Sequence, residues 1–421
     1  MPKQKEVVII GAGFGGLQAV KKLSKDKSLK ITLIDRTNHH LFAPLLYQIA
    51  TAVLSPADIA IPARNLTKGL NNVTVIMENV TRIDIDKHEV FFNNASIHYD
   101  YLILAAGMRT SYFGHDEWEK HTLGLKNLVD ALRIRKQILF SFEEAENHPE
   151  KASELLNYII IGGGPTGVEM AGSIAELSHT IIKKDFRKID TSKAKITLIE
   201  AGPRLLPTFD EKLSEYTKKS LEERGVKVMV NTRVENIEQH KVFIQGDVLH
   251  SHLIIWAAGV EPVPLIQELK LPHDKQKRII VNQYCSVDDH PEIFVIGDIA
   301  HFEQDGKPLP GLSPVAMQQG RYVARLILNE VKGEKRNKPF HYVDKGTMAT
   351  IGRKDGIAES KGLKFKGFMG WLLWLFVHLW YQVGFKNKVS ILVTWIWSYL
   401  TFGASARVIQ SPIDSKDRFA F

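Results

Sequence analysis

Two glycine clusters carry the clearest chemistry in this chain. Gly11-Ala12-Gly13-Phe14-Gly15-Gly16 follows the β-branched run Val7–Ile10 and opens a helical pattern that reaches about Lys27. In a GxGxxG turn the first glycine makes the tight bend, the second admits a pyrophosphate to the backbone, and the third lets helix and strand pack closely. The helix N-terminus then offers free N–H groups and a partial positive charge to the phosphates. Asp35 closes the strand Ile31–Ile34, 24 residues after Gly11, with Arg36 beside it. A carboxylate there accepts hydrogen bonds from a ribose diol. The same order recurs 151 residues later: the strand Tyr158–Ile161, the turn Gly162-Gly163-Gly164-Pro165-Thr166-Gly167, a helix, and the strand Ile196–Ile199 closed by Glu200. The 38 residues from Gly162 to Glu200 exceed the usual spacing of about 20. The excess falls in the polar, Lys-rich stretch 183–192. A carboxylate at Glu200 suits NADH, because it bonds a 2′-hydroxyl and repels a 2′-phosphate. Arg204 lies close enough in sequence to keep NADPH open. Two fingerprints imply two dinucleotides, one bound and one diffusing.

The elements that must position these turns alternate between short β-branched runs and helical patterns through residue 330, which predicts α/β architecture with parallel sheets. Each unit closes alike, in DYLILAAG (Asp100–Gly107) and HLIIWAAG (His252–Gly259). Gly107 and Gly259 at those strand ends let backbone approach a ligand closely. A further apolar run, Ile293–Ile296, ends in Gly297-Asp298. Its return to the first sheet makes the second domain an insertion in the first. The expected domains are 1–112 with 278–330, an inserted 113–277 that includes a helix and polar linker near 126–154, and a C-terminal region 331–421 with two amphipathic helices. The fold class is thus two Rossmann-like dinucleotide-binding domains, one inserted in the other, plus a helical membrane-interface segment.

The formal charge of +8 prompts a search for a polyanion, but the excess is confined to the C-terminal region. Residues 331–421 hold 15 Lys and Arg against 6 Asp and Glu, leaving 40 against 41 in the remainder. Five of the seven tryptophans, Trp371, Trp374, Trp380, Trp395 and Trp397, lie in the same tail. Basic residues such as Lys386 and Lys388 beside Trp-rich apolar runs indicate a lipid interface, not a nucleic acid. The runs between Lys366 and Lys386 and between Lys388 and Arg407 are 19 and 18 residues without Asp, Glu, Lys or Arg. Each could just cross roughly 30 Å of hydrocarbon. Positive residues flank both sides, however, and the Trp content favours helices lying in the interface plane. A buried hairpin or a homodimer interface is the alternative. Met1–Glu6 is polar and Val7–Ile10 is too short for a signal h-region, so the chain is expected on the cytoplasmic side of its membrane. A single cysteine, Cys285, excludes an intrachain disulfide and any Cys-based metal site. No other metal-ligand cluster and no Ser–His–Asp signature stands out.

At the two fingerprints the chain resembles the two-dinucleotide-binding-domain flavoproteins related to glutathione reductase. That resemblance implies FAD on the first fingerprint, NADH on the second, and Gly297-Asp298 bonding the FAD ribitol. The disulfide reductases and sulfide:quinone oxidoreductases of that superfamily need cysteines this chain lacks. A closer likeness lies in NHHLFAPLLYQIATAVLSPADIA (Asn38–Ala60) and in the tail, from IGRKDGIAESKG through GWLLWLF to WSYLTFGASARVI. These segments resemble type II NADH:quinone oxidoreductases, monotopic flavoproteins of the inner membrane that pass electrons from NADH through FAD to quinone without pumping protons. The family's quinone-site motif A-Q-x-A-x-Q corresponds to Ser313-Pro314-Val315-Ala316-Met317-Gln318, with Pro314 replacing the first Gln. The resemblance implies a flavin contact at Ala316, quinone near Ala316 and Gln318, and Glu169 beside the nicotinamide as a catalytic group. His39 and His40 are expected in the flavin shell or at the surface.

Two other readings fit parts of the sequence: a flavin reductase with a soluble protein or oxygen as acceptor, and a non-catalytic redox sensor recruited to membranes. Kinetics with NADH and NADPH against menaquinone and ubiquinone analogues in liposomes separate them. The quinone reading expects NADH-dependent quinone reduction, and loss of that reduction without the tail.

Overall fold

The computed structural model describes residues 4–401, 403 and 406–409. Met1–Lys3 and, within the tail motif, Phe402, Ala404 and Ser405 lie outside the described residues. The chain divides into two compact units: Met1–Leu41, Ala60–Arg109 and Val260–Asp344 in one, and Phe42–Ile59, Thr110–Gly259 and Lys345–Phe421 in the other.

The first unit is built on a six-stranded sheet in the order Ser286–Val287, His290–Val295, Tyr101–Leu104, Lys5–Ile10, Leu29–Asp35, Val73–Met77. All neighbours are parallel except the first pair. Its central strands read as unbroken apolar runs because both faces are covered; Val7, Val8, Ile9, Ile31, Leu33, Leu102 and Ile103 are fully buried. The run ending at Gly297-Asp298 does return to this sheet, in register with Leu102–Leu104. Cys285 is buried in the same core, and burial raises its thiol well above the ordinary value.

The second unit repeats that plan in a parallel sheet ordered Leu123–Gly124, Leu253–Trp256, Asn157–Ile161, Lys195–Ile199, Val226–Met229. Residues 331–344 belong to the first unit, and from Lys345 onward the tail belongs to this one. It begins with an antiparallel hairpin, Thr347–Gly352 and Asp355–Ser360, followed by helices Gly367–Tyr381 and Phe385–Thr401. The hairpin lies directly on the second fingerprint helix, Pro165–Glu176: a Cβ on Gly172 would sit 1.8 Å from the Ile351 carbonyl oxygen. The first tail helix packs on the hairpin through another glycine pair, since a Cβ on Gly370 would sit 2.2 Å from the Gly356 carbonyl oxygen.

The tail motif supplies the polar fastening. Arg353 donates from Nε to Glu176 at 2.7 Å and from one terminal nitrogen to the carbonyls of Ser398 and Tyr399 at the end of the second tail helix. Asp355, 6% exposed, accepts from Tyr216 at 2.8 Å and from Ser220, and pairs with Arg224 at 3.1 Å. A buried carboxylate is tolerated because these donors satisfy it.

Both tail helices are two-sided, but the tryptophans divide between the sides. Trp371, Trp374 and Trp395 are buried, whereas Trp380 and Trp397 are 67% and 63% exposed. The expectation of five interfacial tryptophans is therefore corrected. Helical spacing turns Trp371, Trp374 and His378 toward the unit, and Phe368, Leu372, Phe376 and Trp380 away from it. Lys386 is exposed, and Lys388 donates to the Trp380 carbonyl at 2.8 Å. Among the described residues, no helix is long and apolar enough to cross a membrane.

A methyl group at Gly172 must push the hairpin off the fingerprint helix. Gly172→Ala is expected to cost about 1–3 kcal/mol by overpacking, read as a lower Tm and faster proteolysis within the tail.

Candidate functional site

The first fingerprint takes the conformation its glycines allow. Gly11 has φ +107°, and a Cβ there would meet the Ala105 carbonyl oxygen at 2.2 Å. A Cβ on Gly16 would meet the Gly11 carbonyl oxygen at 1.9 Å, so helix and strand touch at backbone distance. Gly13 faces open space instead, the place a pyrophosphate needs. Asp35 accepts the Ala12 N–H at 2.7 Å with one oxygen, and the Thr37 N–H and hydroxyl with the other. A solvent-open cleft of about 350 Å³ is lined by Gly11, Asp35, Arg36, Asn79, Ala106 and Pro264 among others. Its position beyond the carboxyl ends of the strands is where open α/β sheets bind nucleotides.

Several further groups face this turn. Gly297 has φ +76°, and a Cβ there would contact the Ala316 methyl group at 3.3 Å. A Cβ on Gly15 would stand 3.2 Å from the Ala316 carbonyl oxygen, which brings the helix Ser313–Val331 against the fingerprint. Asp298 lies under Gly311 in the same unit, and Gly107 takes φ +71° at the end of its strand. Gln318 is half-buried and spends its amide on Val343, donating to its carbonyl and accepting its N–H, each at 3.0 Å. The neighbouring Gln319, which the motif alone did not single out, is buried and accepts the Gly297 N–H at 2.7 Å.

His40 is 1% exposed and belongs with this turn. Its Nδ1–H donates to the Ala12 carbonyl at 2.9 Å, its ring edge meets Phe14 at 5.1 Å, and burial lowers its pKa to about 4. The ring is therefore neutral, and its buried Nε2 has no partner. The open space at Gly13, the carboxylate at the strand end and this unpaired acceptor fit a dinucleotide that carries hydroxyl donors. His39, by contrast, is half-buried, and its ring meets the Asn38 side chain at 3.1 Å.

The second fingerprint repeats the same backbone solution with a glutamate in place of the aspartate. Gly162 has φ +113° against Ala257, and a Cβ on Gly167 would meet the Gly162 carbonyl oxygen at 1.8 Å. Gly164 faces open space and Pro165 starts the helix, where its missing N–H costs nothing. Thr166 follows in the first turn. Glu200 accepts the Gly163 N–H and the Gly202 N–H, both at 2.6 Å, one with each oxygen. Gly259 lies against the Phe113 ring. Arg204 donates to the Pro207 carbonyl within its own loop.

Glu169, two residues after this fingerprint in the helix Pro165–Glu176, packs toward the tail, where the Thr350 N–H reaches its carboxyl. Burial lifts its pKa from the ordinary value to about 8, opposed by the Thr350 N–H at 3.4 Å and the Trp374 indole. The two segments that carry the family likeness meet in this region. Trp395 donates to Gln48 at 2.8 Å, Asn387 to the Ala57 and Asp58 carbonyls, Ser390 to the Asp58 carboxylate at 2.6 Å, and Gln382 to the Asp58 carbonyl. Trp374 stacks on His378 at 4.1 Å and meets Tyr47 at 6.2 Å. Burial lowers the His378 pKa to about 4. Sequence reading passed over Tyr47, Gln48, Arg353 and His378, whose only signal was their place inside the two family-like segments.

The family model for pyridine nucleotide-disulphide oxidoreductases matches residues 5–320. A type II NADH:quinone oxidoreductase of Mycobacterium tuberculosis is 39% identical, over 100% of this chain and 92% of the relative. One from Staphylococcus haemolyticus is 32% identical, over 86% of this chain and 92% of the relative. Among solved structures, NDH2 from Plasmodium falciparum in complex with NADH superposes with a TM-score of 0.88 at 22% identity, covering 97% of this chain and 100% of that one. A sulfide:quinone oxidoreductase from Aquifex aeolicus superposes with a TM-score of 0.72 at 20% identity, over 95% and 92% of the two chains.

The fixed carboxylate at Glu200 gives a direct test of nucleotide choice. Glu200→Gln removes the charge that repels a 2′-phosphate, and the ratio of kcat/KM for NADH over NADPH is expected to fall about tenfold.

Proposed function

The chain belongs to the type II NADH:quinone oxidoreductases, and from that premise we propose how its own residues divide the work. It is an FAD-dependent enzyme that takes hydride from NADH and delivers two electrons to quinone without pumping protons, and it is membrane-associated. FAD supplies the hydride-accepting and electron-donating chemistry when bound, and the polypeptide supplies binding, orientation and proton handling.

Gly11, Gly13, Phe14, Gly15 and Gly16 cradle the FAD pyrophosphate, Asp35 and Arg36 take its ribose end, and Gly107, Gly297, Asp298 and Ala316 line its flavin half. NADH lies on Gly162, Gly164, Pro165, Thr166 and Gly167, with Glu200 on its ribose and Gly259 at its far side. Glu169 is the acid that holds a proton for quinone reduction, with Ala316 and Gln318 on the quinone side. The functional regions follow as FAD binding by 1–112 and 278–330, NADH binding by 113–277, and membrane attachment by 331–421. The observation that carries this reading is the duplicated fingerprint whose second helix places a neutral carboxyl against the membrane-type tail.

The outward face of the tail supports attachment to lipid. Phe368, Phe376, Trp380, Phe385, Trp397 and Leu400 are exposed on the two helices, and clustered exposed apolar side chains mark membrane or protein interaction sites. Exposed Lys361 and Lys386 flank it and suit anionic head groups, each worth on the order of 1 kcal/mol near the surface. The assigned side is the cytoplasmic face of the cell inner membrane. A second copy of the chain is the competing occupant of the same apolar face. Replacing Phe376 and Leu400 together by Glu is expected to release the protein from anionic liposomes in a flotation assay; unchanged flotation would sink the assignment.

A folded carboxyl with a pKa near 8, above its unfolded value near 4.5, stays protonated through neutral pH. The sign is destabilising: as pH rises from about 4.5 through 8, folding must increasingly oppose ionisation, and stability declines over that window. Quinone reduction by the parent enzyme is expected to fall as pH passes about 8. Glu169→Gln should flatten that limb and lower kcat at neutral pH. A pH profile unchanged by the substitution would remove Glu169 from proton handling.

A further inference from the structure

The stretch 183–192 lengthens the path from the second fingerprint to Glu200, and the turn it follows is complete without it. It is nonetheless held in place. The Glu146 carboxylate accepts the N–H groups of Arg187 and Lys188, each at 3.0 Å, and the Phe186 ring packs on Phe142 with centroids 5.8 Å apart. Asp190 accepts the Ser192 N–H at 3.1 Å, and the buried Thr191 hydroxyl donates to the Ser178 carbonyl at 2.7 Å. Asp185 pairs with Arg407. The nearby carboxylates are thus engaged with backbone donors or with Arg407. Lys183, Lys184, Arg187 and Lys188 are all exposed, and none of the four forms an ion pair among the described residues. Residues 183–188 therefore present four cations against one carboxylate that is already paired. Like charges fixed this close repel one another, and an anionic surface relieves that repulsion.

The position of this loop narrows the choice of anion. Arg353 donates to Glu176, the last residue of the fingerprint helix, and to the Ser398 and Tyr399 carbonyls in the last turn of the second tail helix. One guanidinium thereby joins the helix end from which the loop departs to the end of the tail. The Asp185–Arg407 pair is a second link, made beyond that tail helix. In the same last turns Trp397 and Leu400 are strongly exposed. Cations and apolar side chains thus occur at one end of this unit. A bilayer takes both, hydrocarbon for the apolar groups and phosphates for the cations. A nucleic acid or an acidic protein would use the cations and leave Trp397 and Leu400 in water.

We propose that residues 183–188 form a second, electrostatic contact with anionic lipid head groups, beside the apolar face of the two tail helices. The proposal rests on the membrane reading above and adds to it a lipid-recognising segment outside the tail.

The test uses purified full-length, FAD-loaded protein and two kinds of vesicle, phosphatidylcholine alone and phosphatidylcholine with phosphatidylglycerol. Partition coefficients are measured by flotation for the parent and for a variant carrying Lys183→Gln, Lys184→Gln, Arg187→Gln and Lys188→Gln. On the anionic vesicles at low salt the variant is expected to bind at least about tenfold more weakly. The difference should shrink at high salt and be absent on phosphatidylcholine. Anionic binding within twofold of the parent, or equal weakening on both kinds of vesicle, would overturn the proposal. Unchanged vesicle binding with lost retention on heparin would assign the loop to a soluble polyanion and also overturn it. Should the variant aggregate, Lys184→Glu alone is held to the same criteria. Contact is read separately with a fluorophore on Lys184→Cys, since the native Cys285 is buried. A quencher attached to lipid head groups should quench that label in bound protein; an unquenched label would overturn the proposal even if partition changes. A parent protein that binds neither vesicle would overturn the membrane reading itself, and this proposal with it.

Discussion

Contact at backbone distance between the second fingerprint helix and the tail hairpin governs much of the second unit. Gly172 has no Cβ because the Ile351 carbonyl occupies that position, and the helix face on either side of it is then committed to the tail. Glu169 and Glu176 lie three residues before and four after that glycine, on one helical stripe. One meets the Thr350 N–H and Trp374, and the other meets Arg353. The helix whose N-terminus faces a nucleotide phosphate thus also carries the tail. The tail in turn holds residues 42–59 through Gln382, Asn387, Ser390 and Trp395. A chain of short-range contacts, not sequence proximity, assembles this region.

The two nucleotide turns show how little side-chain chemistry such a site requires. In both, the first glycine takes a positive φ against a neighbouring strand, the second faces open space, and the last touches the backbone of the first. In both, the strand-end carboxylate accepts the N–H of the residue after the first glycine, Ala12 or Gly163. This carboxylate braces the turn as well as waiting for a ribose, so charge and conformation are set by one group. The lengthened 183–192 stretch leaves this geometry intact because it lies after the helix, away from the turn.

Much of this was legible without coordinates. Parallel strands, both fingerprints, their carboxylates and the return of Ile293–Val295 to the first sheet follow from glycine spacing and unbroken β-branched runs. Helical periodicity also gives the two tail helices. Their orientation was not legible: a Trp-rich segment reads the same whether its indoles face lipid or protein, and only the hairpin beneath decides that Trp371, Trp374 and Trp395 turn inward. Likewise the motif around Gln318 does not reveal that its amide is spent on Val343 while Gln319 meets Gly297. Adjacent residues on a helix face directions about 100° apart, and the packed side is a property of the neighbours.

What the sequence determined by itself is local: where the backbone must bend, which face of a strand is buried, and which carboxylates close the nucleotide strands. These depend on residues within one element or the next, where glycine conformation and apolar periodicity leave few choices. The tertiary structure alone decided which distant groups share an environment. Tyr47, Glu169, Trp374 and Trp395 are separated by up to 348 positions, and nothing in their spacing couples them. Burial raises the Glu169 pKa, and the Gln48 amide is held between the Trp395 indole and the Tyr47 hydroxyl, because desolvation and hydrogen-bond direction exist only once the pieces are packed.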